Sequence, residues 1–382
     1  MRLAWQDTDV LDMPAPGTPV PTFDGLDEVP GGYGAKLEWA RSRAEAFRME
    51  FVSTGTPDTV TTHDLVTLPY PTKFGLFRAS RAVAPFLSIT NRMLVIRWTE
   101  SDGRRRVLLF EPSDVPLGRN TPYFAALARR TPAPLRSLMV TEHGTVQGHL
   151  ARLGIAPEDV DYLMFDHLHT QDLRRWIGTT AAQPDLAGTG PDGDGKSGGD
   201  GGDGPLDPVF PNARVVVQRR ELLAMSRLHP LQRPWYQPES YRDVRPEAFL
   251  AVDGARLLGP GVAVVATPGH VYGNQTLVLN TSTGVWTSSE NAIAAECLTP
   301  EHSRLPGLAR WSRAWGQEVV LNANTIETTA EQYNSLVLEK TLADRSQADP
   351  RFLQFFPSSE LTASWANPGT APTFTHKAIT HR

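Results

Sequence analysis

The apolar and polar positions of the chain alternate between the spacing of strands and the spacing of helices. Residues 87–98 and 105–114 are rich in β-branched and aliphatic side chains, and the turn sequence Ser101-Asp102-Gly103 separates them, so they predict two consecutive strands. Similar runs predict further strands at residues 160–165, 214–218, 262–270, 275–280, 284–289, 318–324 and 351–356.

Helical spacing occurs between these runs. Residues 35–50 form a short amphipathic pattern, and residues 146–153 carry apolar side chains at i, i+4 and i+7 before Gly154, which is placed as a C-cap. A further helix begins at about Arg220, and residues 329–332 match a capping box that opens another. Because strands and helices alternate and hairpins occur among them, the pattern predicts a layered α/β architecture with mixed sheets.

Two segments differ in composition from the rest. Residues 1–35 are rich in Pro, Gly and Asp and predict an extended arm, so we assign residues 1–84 to an N-terminal arm and helix and residues 85–382 to the main domain. Residues 188–204 are about half glycine and predict a disordered surface insertion, since they lack the regular period and apolar residues of calcium-binding repeats. The arm either shapes the pocket or mediates contacts in a homodimer.

Composition narrows the partners and the location. The formal net charge of -5, from 37 basic and 42 acidic residues, gives no reason to expect nucleic acid or an anionic membrane as a partner. No apolar run approaches the roughly 18 residues of a membrane span, and the N-terminus lacks the pattern of a signal peptide. The single cysteine, Cys297, cannot form an internal disulfide. These features predict a cytoplasmic protein.

Three histidines are the main candidates for chemistry. His167 and His169 follow the strand predicted at residues 160–165, and at i and i+2 in extended backbone both imidazoles point the same way. Two ordinary loop histidines are the alternative interpretation of this pair. His270 ends the sequence Thr267-Pro268-Gly269-His270 after another strand, and a third nitrogen would complete a three-ligand metal site with an open position for water.

The order of these motifs resembles a known family. The sequences FEPSD, LGIAPEDVDYLMFDHLH, FPNARVVVQRREL and ATPGH follow one another as in the metallo-β-lactamase superfamily, and are most similar to its lactonase-like branch. The likeness covers roughly residues 85–360. It implies an αββα sandwich of two mixed β-sheets flanked by helices, two bound metal ions, often zinc, and hydrolysis of esters, lactones or related substrates.

The resemblance carries over unevenly to the ligand positions. The family signature HxHxDH is matched by His167 and His169, but Gln171 and Asp172 stand where the family has aspartate and histidine. Glu290 is the best match to the family's bridging aspartate, and residues 358–360, Ser-Ser-Glu, stand in place of its final histidine. The resemblance therefore implies an intact first metal site of His167, His169 and His270.

The second site is altered, and two interpretations of it stay open. Asp172, Glu290 and Glu360 could supply oxygen ligands, which favour manganese, magnesium or iron over zinc. Alternatively, the second site holds no metal.

These residues predict a metal-dependent hydrolase. A divalent metal, zinc first with manganese or iron as alternatives, would generate a metal-bound hydroxide that attacks the substrate. The resemblance implies that this substrate is a small ester, lactone or related compound. Asp172 or Glu290 would accept the proton of the attacking water. The alternatives are a non-catalytic member with a degenerate site that binds a ligand or partner, and a redox metalloenzyme.

Several other residues are secondary candidates. Asp166 could orient an imidazole or cap its loop, and Asp114 is more typical of a structural turn. His302 could line the pocket or lie on a surface loop. Tyr272 and Asn274 follow His270 closely and could face the cavity.

Overall fold

The computed structural model describes residues 7–132, 139–186, 204–365 and 367–382. The predicted insertion at residues 188–204 lies outside these ranges, apart from Gly204. Within them the strands, in chain order, are β1 (Thr18–Pro19), β2 (Thr59–Pro71), β3 (Phe86–Thr99), β4 (Arg105–Phe110), β5 (Thr141–Glu142), β6 (Tyr162–Met164), β7 (Arg214–Gln218), β8 (Phe249–Val252), β9 (Ala255–Gly259), β10 (Val262–Ala266), β11 (Gln275–Thr281), β12 (Gly284–Ser288), β13 (Ser359–Thr362) and β14 (Thr380–His381).

These strands form two sheets. The first is antiparallel, with the order β1-β9-β10-β11-β12. The second has the order β14-β2-β3-β4-β6-β7-β8, with β13 paired to β3 and β5 paired to β2. It is mixed, because β4, β6, β7 and β8 run parallel to one another while β2, β3 and β4 are antiparallel.

Helices cover the outer faces of both sheets. The α-helices of the described residues are α1 (Asp7–Leu11), α2 (Gly32–Phe51), α3 (Thr72–Gly75), α4 (Val115–Gly118), α5 (Pro122–Arg130), α6 (Val146–Leu153), α7 (Arg174–Ile177), α8 (Arg219–Ser226), α9 (Leu308–Trp315) and α10 (Thr329–Leu342).

The alternation of side chains along the strands creates three apolar layers. In β10, Val262 and Val264 pack between the two sheets, whereas Ala263 and Val265 pack against α2 and α10. In β7, Val216 lies between the sheets, and its neighbours on either side face α6 and α8. The order of layers is therefore helix, sheet, sheet, helix, which confirms the predicted αββα fold class.

Three predicted features differ from the structure, and one long strand was not predicted. Residues 318–324 are extended but form no strand, because their amides bond to loop carbonyls such as Cys297 O. Residues 351–356 make only isolated bridges, and β13 follows them. The capping box is wrong, since α10 begins after Thr328 and the Gln332 side chain binds main-chain carbonyls instead. Strand β2, which the sequence analysis missed, pairs with β3.

The topology gathers the candidate residues at one edge of the second sheet. The carboxyl ends of the parallel strands β4 and β6 lie next to each other and continue directly into Glu111 and into Asp166-His167. This edge is where ligand sites form in open α/β sheets. Across the described residues, no helix combines the length and the apolarity needed to cross a bilayer.

Candidate metal centre

His167, His169 and His270 lie together at this edge. Their ring centroids are 4.6 Å apart for His167 and His169, 4.8 Å for His167 and His270, and 5.2 Å for His169 and His270. All three are buried, and one ring nitrogen from each lies within 4.8 Å of the others. The main-chain amide of His270 donates to Asn291 Oδ1 at 3.1 Å and so holds the turn that precedes this histidine.

Each imidazole uses its second nitrogen to contact an acceptor outside the cluster. His167 Nδ1 bonds to Asp166 Oδ1, and His270 Nδ1 bonds to the carbonyl oxygen of Asn322 at 2.7 Å. His169 Nε2 bonds to Gln232 Oε1 at 2.8 Å. Such partners orient metal-ligating histidines and determine which nitrogen is free to bind.

The free nitrogens fit a cation. His167 Nε2 is buried and has no hydrogen-bond partner among the described residues, a condition that is costly for a polar atom. A divalent metal such as zinc would satisfy it, because three neutral imidazole nitrogens are a usual ligand set for zinc. The residues present therefore fit the metal that the sequence analysis expected.

Charge is distributed unevenly over the three rings. Burial opposes the charged form of His167, but the Asp166 carboxylate outweighs it and raises the pKa of that imidazole to about 9. Burial, together with the charge on His167, lowers the pKa of His270 to about 3. The same two causes also lower the pKa of His169. Two of the three rings are therefore held in the neutral form that metal binding requires.

Glu290 borders the cluster. Its Oε2 lies 3.6 Å from His167 Nε2, and together with Asp166 and His167 it forms a second group of close ligand atoms. Burial raises the pKa of Glu290 to about 7. The carboxylate thus faces the same nitrogen that a metal would bind.

Asp172 does not join the cluster. Its two carboxylate oxygens accept hydrogen bonds from Arg174, from Nε at 3.0 Å and from Nη2 at 2.7 Å. Gln171 reaches the cavity, but its amide donates to Ser113 Oγ at 3.0 Å and to Glu111 Oε2 at 3.3 Å. The structure therefore brings Glu290 to the histidines and leaves Asp172 in a separate buried ion pair.

The secondary candidates are divided in the same way. Asp166 contacts His167, whereas the Glu360 carboxylate pairs with Arg92 and Asp114 pairs with Arg175 at 3.2 Å. Asp114 also caps α4 through Leu117 N. The remaining three lie outside the cluster: His302 next to Glu301, Tyr272 exposed beneath Arg220, and Asn274 bonded to the Thr267 carbonyl.

Sequence reasoning missed three buried residues that support the histidine loop. Glu111 Oε1 accepts from Asp166 N at 2.6 Å. Glu221 Oε1 accepts from Leu168 N at 2.9 Å and from the Tyr236 hydroxyl at 2.7 Å. Gln232 is the third. No local pattern marks these residues, because each acts on a partner more than fifty positions away.

The histidines open into a cavity of about 820 Å³. All three of them and Glu290 contribute to its lining, together with the polar residues Glu111 and Gln171. Its remaining walls are largely apolar and include Leu68, Ile89, Phe124, Leu127, Met139 and Trp235. A volume in this range suits a small-molecule ligand.

Neither a family model nor a curated protein matches the chain. Among solved structures, it is similar to a quorum-quenching N-acyl homoserine lactone lactonase, with 19% identity over 69% of this chain and 89% of the other and a TM-score of 0.40. A dizinc quorum-quenching lactonase in complex with a product is 11% identical over 84% of this chain and 97% of the other, with a TM-score of 0.44.

A third match is a hydrolase in the beta lactamase superfamily, with 14% identity over 73% of this chain and 80% of the other and a TM-score of 0.37. The matched structures thus include lactonases and a hydrolase of the superfamily that the motifs resemble.

Proposed function

We propose that the protein is a metal-dependent hydrolase with one divalent cation, zinc in the first instance, held by His167, His169 and His270. The observation that carries this proposal is the arrangement of the three rings. Each has one nitrogen bonded to an outer acceptor, and the cluster lies at the wall of an 820 Å³ cavity. A cation bound there would acidify water and polarise a substrate carbonyl oxygen.

We infer that Glu290 moves a proton in this reaction. Its Oε2 is 3.6 Å from His167 Nε2 and the side chain lines the cavity, so a water at the open side of the cluster would meet this carboxylate. We assign to Glu290 Oε2 the acceptance of the proton that water loses on attacking the substrate. Asp172 has no part in this step, because both of its oxygens bind Arg174.

The proposal specifies a single cation because the residues at the family's second metal site bind other side chains. Asp172 is bound by Arg174, and the Gln171 amide hydrogens point to Glu111 and Ser113. Where the family has its final histidine, Ser358 donates to Asp166 Oδ2 at 2.8 Å. Of the residues considered for that position, Glu290 alone remains close to the histidines.

The cavity supports a small ester or lactone with an apolar portion as substrate. Aliphatic and aromatic walls surround the histidines, and they would bury the apolar part of a ligand while the reacting carbonyl faces the cluster. Among the described residues that line the cavity, Arg119 is the one arginine or lysine, and it is paired with Glu142, so none of these residues offers a free guanidinium or ammonium group to an anionic substrate.

The test combines metal analysis with an activity screen. Protein purified without added metal is analysed by mass spectrometry for bound metals and assayed with lactones and p-nitrophenyl esters of short and long acyl chains. We expect about one equivalent of zinc and hydrolysis that a chelator abolishes. His167→Ala and His270→Ala should lose both metal and activity, while Glu290→Gln should keep the metal and lose activity.

His302→Ala is the matched control, since this histidine lies half exposed beside Glu301, outside the cluster. It should retain both metal and activity. Two equivalents of metal in the native protein would overturn the single-cation assignment. Absence of metal in protein that is folded and supplied with zinc, manganese or iron would overturn the hydrolase proposal in favour of a ligand-binding protein.

A further inference from the structure

Gln232 connects His169 to a second polar group away from the cavity. Its side-chain oxygen lies 2.8 Å from His169 Nε2, and its amide nitrogen donates to Thr325 Oγ1 at 3.0 Å and to Glu327 Oε1 at 2.8 Å. Gln232 is buried, whereas Glu327 is exposed to solvent. Glu327, Gln232 and His169 thus form a series of hydrogen bonds that runs from the surface to the metal cluster.

Glu327 determines which atoms donate and which accept in this series of hydrogen bonds. A carboxylate oxygen only accepts hydrogen bonds, so the nitrogen of the Gln232 amide must face Glu327 and the oxygen must face His169. That oxygen also only accepts, and His169 Nε2 must therefore carry the ring hydrogen. In the neutral imidazole the hydrogen on Nε2 leaves Nδ1 with its lone pair free.

We propose that Gln232 is a positioning residue that selects the tautomer of His169 with Nδ1 free to bind the cation, and that Glu327 holds the Gln232 amide in the required orientation. The inference rests on the proposed function, because the tautomer matters only if a cation is bound. It assigns a role in metal binding to two residues that lie 63 and 158 positions from His169 along the chain.

The aromatic residues around His169 also help to hold its ring in position. Residues from the same loop as Gln232 pack against the ring: Tyr236 has its ring centroid 4.6 Å from that of His169, and Trp235 lies at 6.2 Å. Tyr236 is itself anchored by its hydroxyl, which donates to Glu221. The loop thus restricts the tilt of the ring while Gln232 restricts its protonation.

The first experiment measures the tautomer without metal. In metal-free protein labelled with ¹⁵N-histidine, two-bond and three-bond couplings from ring hydrogens distinguish hydrogen on Nε2 from hydrogen on Nδ1. We expect His169, assigned by loss of its signals in His169→Ala, to carry hydrogen on Nε2. Gln232→Leu, which keeps bulk and removes the acceptor, should give a mixture of tautomers.

The second experiment measures zinc affinity by competition with a chelating dye. Loss of an outer partner of a ligating histidine lowers metal affinity about 10- to 100-fold, and we expect Gln232→Leu to fall in this range. Gln354→Leu is the matched control, because Gln354 is buried and its side chain bonds to the Val285 carbonyl away from the cavity. It should bind zinc as the native protein does.

A charge exchange separates tautomer selection from general loss of packing. Gln232→Glu places a second carboxylate opposite Glu327. Repulsion between the two carboxylates should turn the side chain at 232 away from His169, which removes the acceptor and weakens zinc binding. In Gln232→Glu/Glu327→Gln the carboxylate at 232 accepts from His169 and the amide at 327 donates to it, so zinc affinity and the Nε2 hydrogen should return.

Three results would overturn the inference: hydrogen on Nδ1 in the native protein, an unchanged tautomer in Gln232→Leu, or the absence of rescue in the double variant. If the native protein binds none of zinc, manganese and iron, the proposed function fails. The tautomer spectra still decide separately whether Gln232 controls His169.

Discussion

The three imidazoles of the cluster have outer partners of three different kinds. His167 is paired with a carboxylate, His169 with a side-chain amide and His270 with a main-chain carbonyl. All three partners orient their ring, but only the carboxylate also carries a negative charge. It therefore increases the basicity of its ring most. Asp166 should therefore contribute more to cation affinity through its charge than the other two acceptors do.

The corresponding prediction concerns Asp166→Asn. The amide oxygen can still accept from His167 Nδ1, but the negative charge is lost, and zinc affinity should fall by about tenfold or more. Asp172→Asn is the control: it removes the charge of a buried aspartate in the same loop that binds Arg174 instead. This variant should lose stability and keep its zinc affinity in the same dye competition. Equal losses of affinity in both variants would mean that Asp172 also serves the cation.

Glu339 gives the prediction for pH. It is fully buried, and Thr276, Ser289 and Asn291 donate to its Oε1, whereas its Oε2 has no hydrogen-bond partner in the part of the chain that the structure describes. Burial raises its pKa to about 7, from an ordinary value of 4.5. Because the folded-state pKa is the higher one, the stabilisation is complete below about pH 4.5 and is lost as pH rises through 7.

From this group alone, the free energy of unfolding should fall by about 3 kcal/mol between pH 4.5 and pH 8, at about 1.4 kcal/mol per pKa unit. Glu339→Gln keeps the acceptor oxygen and cannot ionise. Urea unfolding of both proteins at pH 5 and pH 8 should show a smaller decrease for the variant. A decrease of equal size in both would show that Glu339 ionises without cost.

At the scale of single residues, the sequence revealed what a short motif carries. His167 and His169 are two positions apart, and His270 follows a Pro-Gly turn, so spacing alone suggested a shared ligand role. Glu111 and Gln232 were not predicted, because their roles depend on a chain fold that brings distant loops together. Asp172 was selected by its position in a motif, yet its neighbour Arg174 determines its environment.

Elements were predictable where local signals were strong. Helix α6 has the Thr145 hydroxyl as its N-cap acceptor and the left-handed Gly154 at its end, and both features can be read from sequence. Residues 318–324 have strand composition but no strand neighbour. Their main-chain groups bond to loops, among them Asn322 N to the Asn291 carbonyl, which composition cannot indicate. Tertiary context decided these segments.

The turn before His270 gives the prediction at the scale of elements. A Cβ added at Gly269 would lie 2.2 Å from Gln332 Cα and 2.7 Å from Gln332 N, both main-chain atoms of α10. The helix or the turn must therefore move. We expect Gly269→Ala to lower the free energy of unfolding by about 2–3 kcal/mol, as overpacking does, and to weaken zinc binding through His270.

Gly34→Ala is the comparison for this variant. Gly34 is exposed within α2, and no atom lies within 4 Å of the added Cβ. Alanine at such a site should stabilise the protein by about 0.5–1 kcal/mol and leave the zinc affinity unchanged. Denaturant unfolding of the two variants therefore has opposite expected signs. A stabilised Gly269→Ala would show that the turn is not packed tightly against α10.

At the scale of the whole molecule, residues on both sides of the predicted boundary at residue 84 belong to one sheet. Strand β2 precedes that boundary and pairs with β3, while β14, at the other end of the described chain, pairs with β2. Local alternation predicted a layered α/β architecture with mixed sheets, and the resemblance to the metallo-β-lactamase superfamily implied that there are two. Local alternation could not indicate that residues on both sides of the boundary share one sheet, because strand pairing depends on contacts far apart in sequence.

The predicted insertion at residues 188–204 should be dispensable for stability. The residues that flank it are already joined: Thr179 N donates to Leu206 O at 3.0 Å, and Ala182 bridges to Pro205. A deletion would therefore close a short gap between paired segments. Thermal unfolding and ester hydrolysis should both be nearly unchanged. A large loss of hydrolysis with an unchanged melting temperature would show that the insertion takes part in substrate binding.

Removal of the N-terminal arm should have the opposite effect. The arm lies on its own chain: β1 pairs with β9, Ala251 N donates to the Pro14 carbonyl at 2.9 Å, and Val10 and Met13 are buried in the core beneath α8. Burial of each such side chain contributes about 1.5–3 kcal/mol, which for several residues is a large share of a typical unfolding free energy of about 5–15 kcal/mol.

We therefore expect deletion of residues 1–31 to lower the melting temperature strongly or to prevent folding, with the 188–204 deletion as the control. Light scattering on both proteins separates the two roles considered for the arm. If the arm served only a dimer contact, its deletion would change the mass in solution and leave the melting temperature unchanged. The packing of Val10 and Met13 within their own chain predicts the reverse, a loss of stability that does not depend on protein concentration.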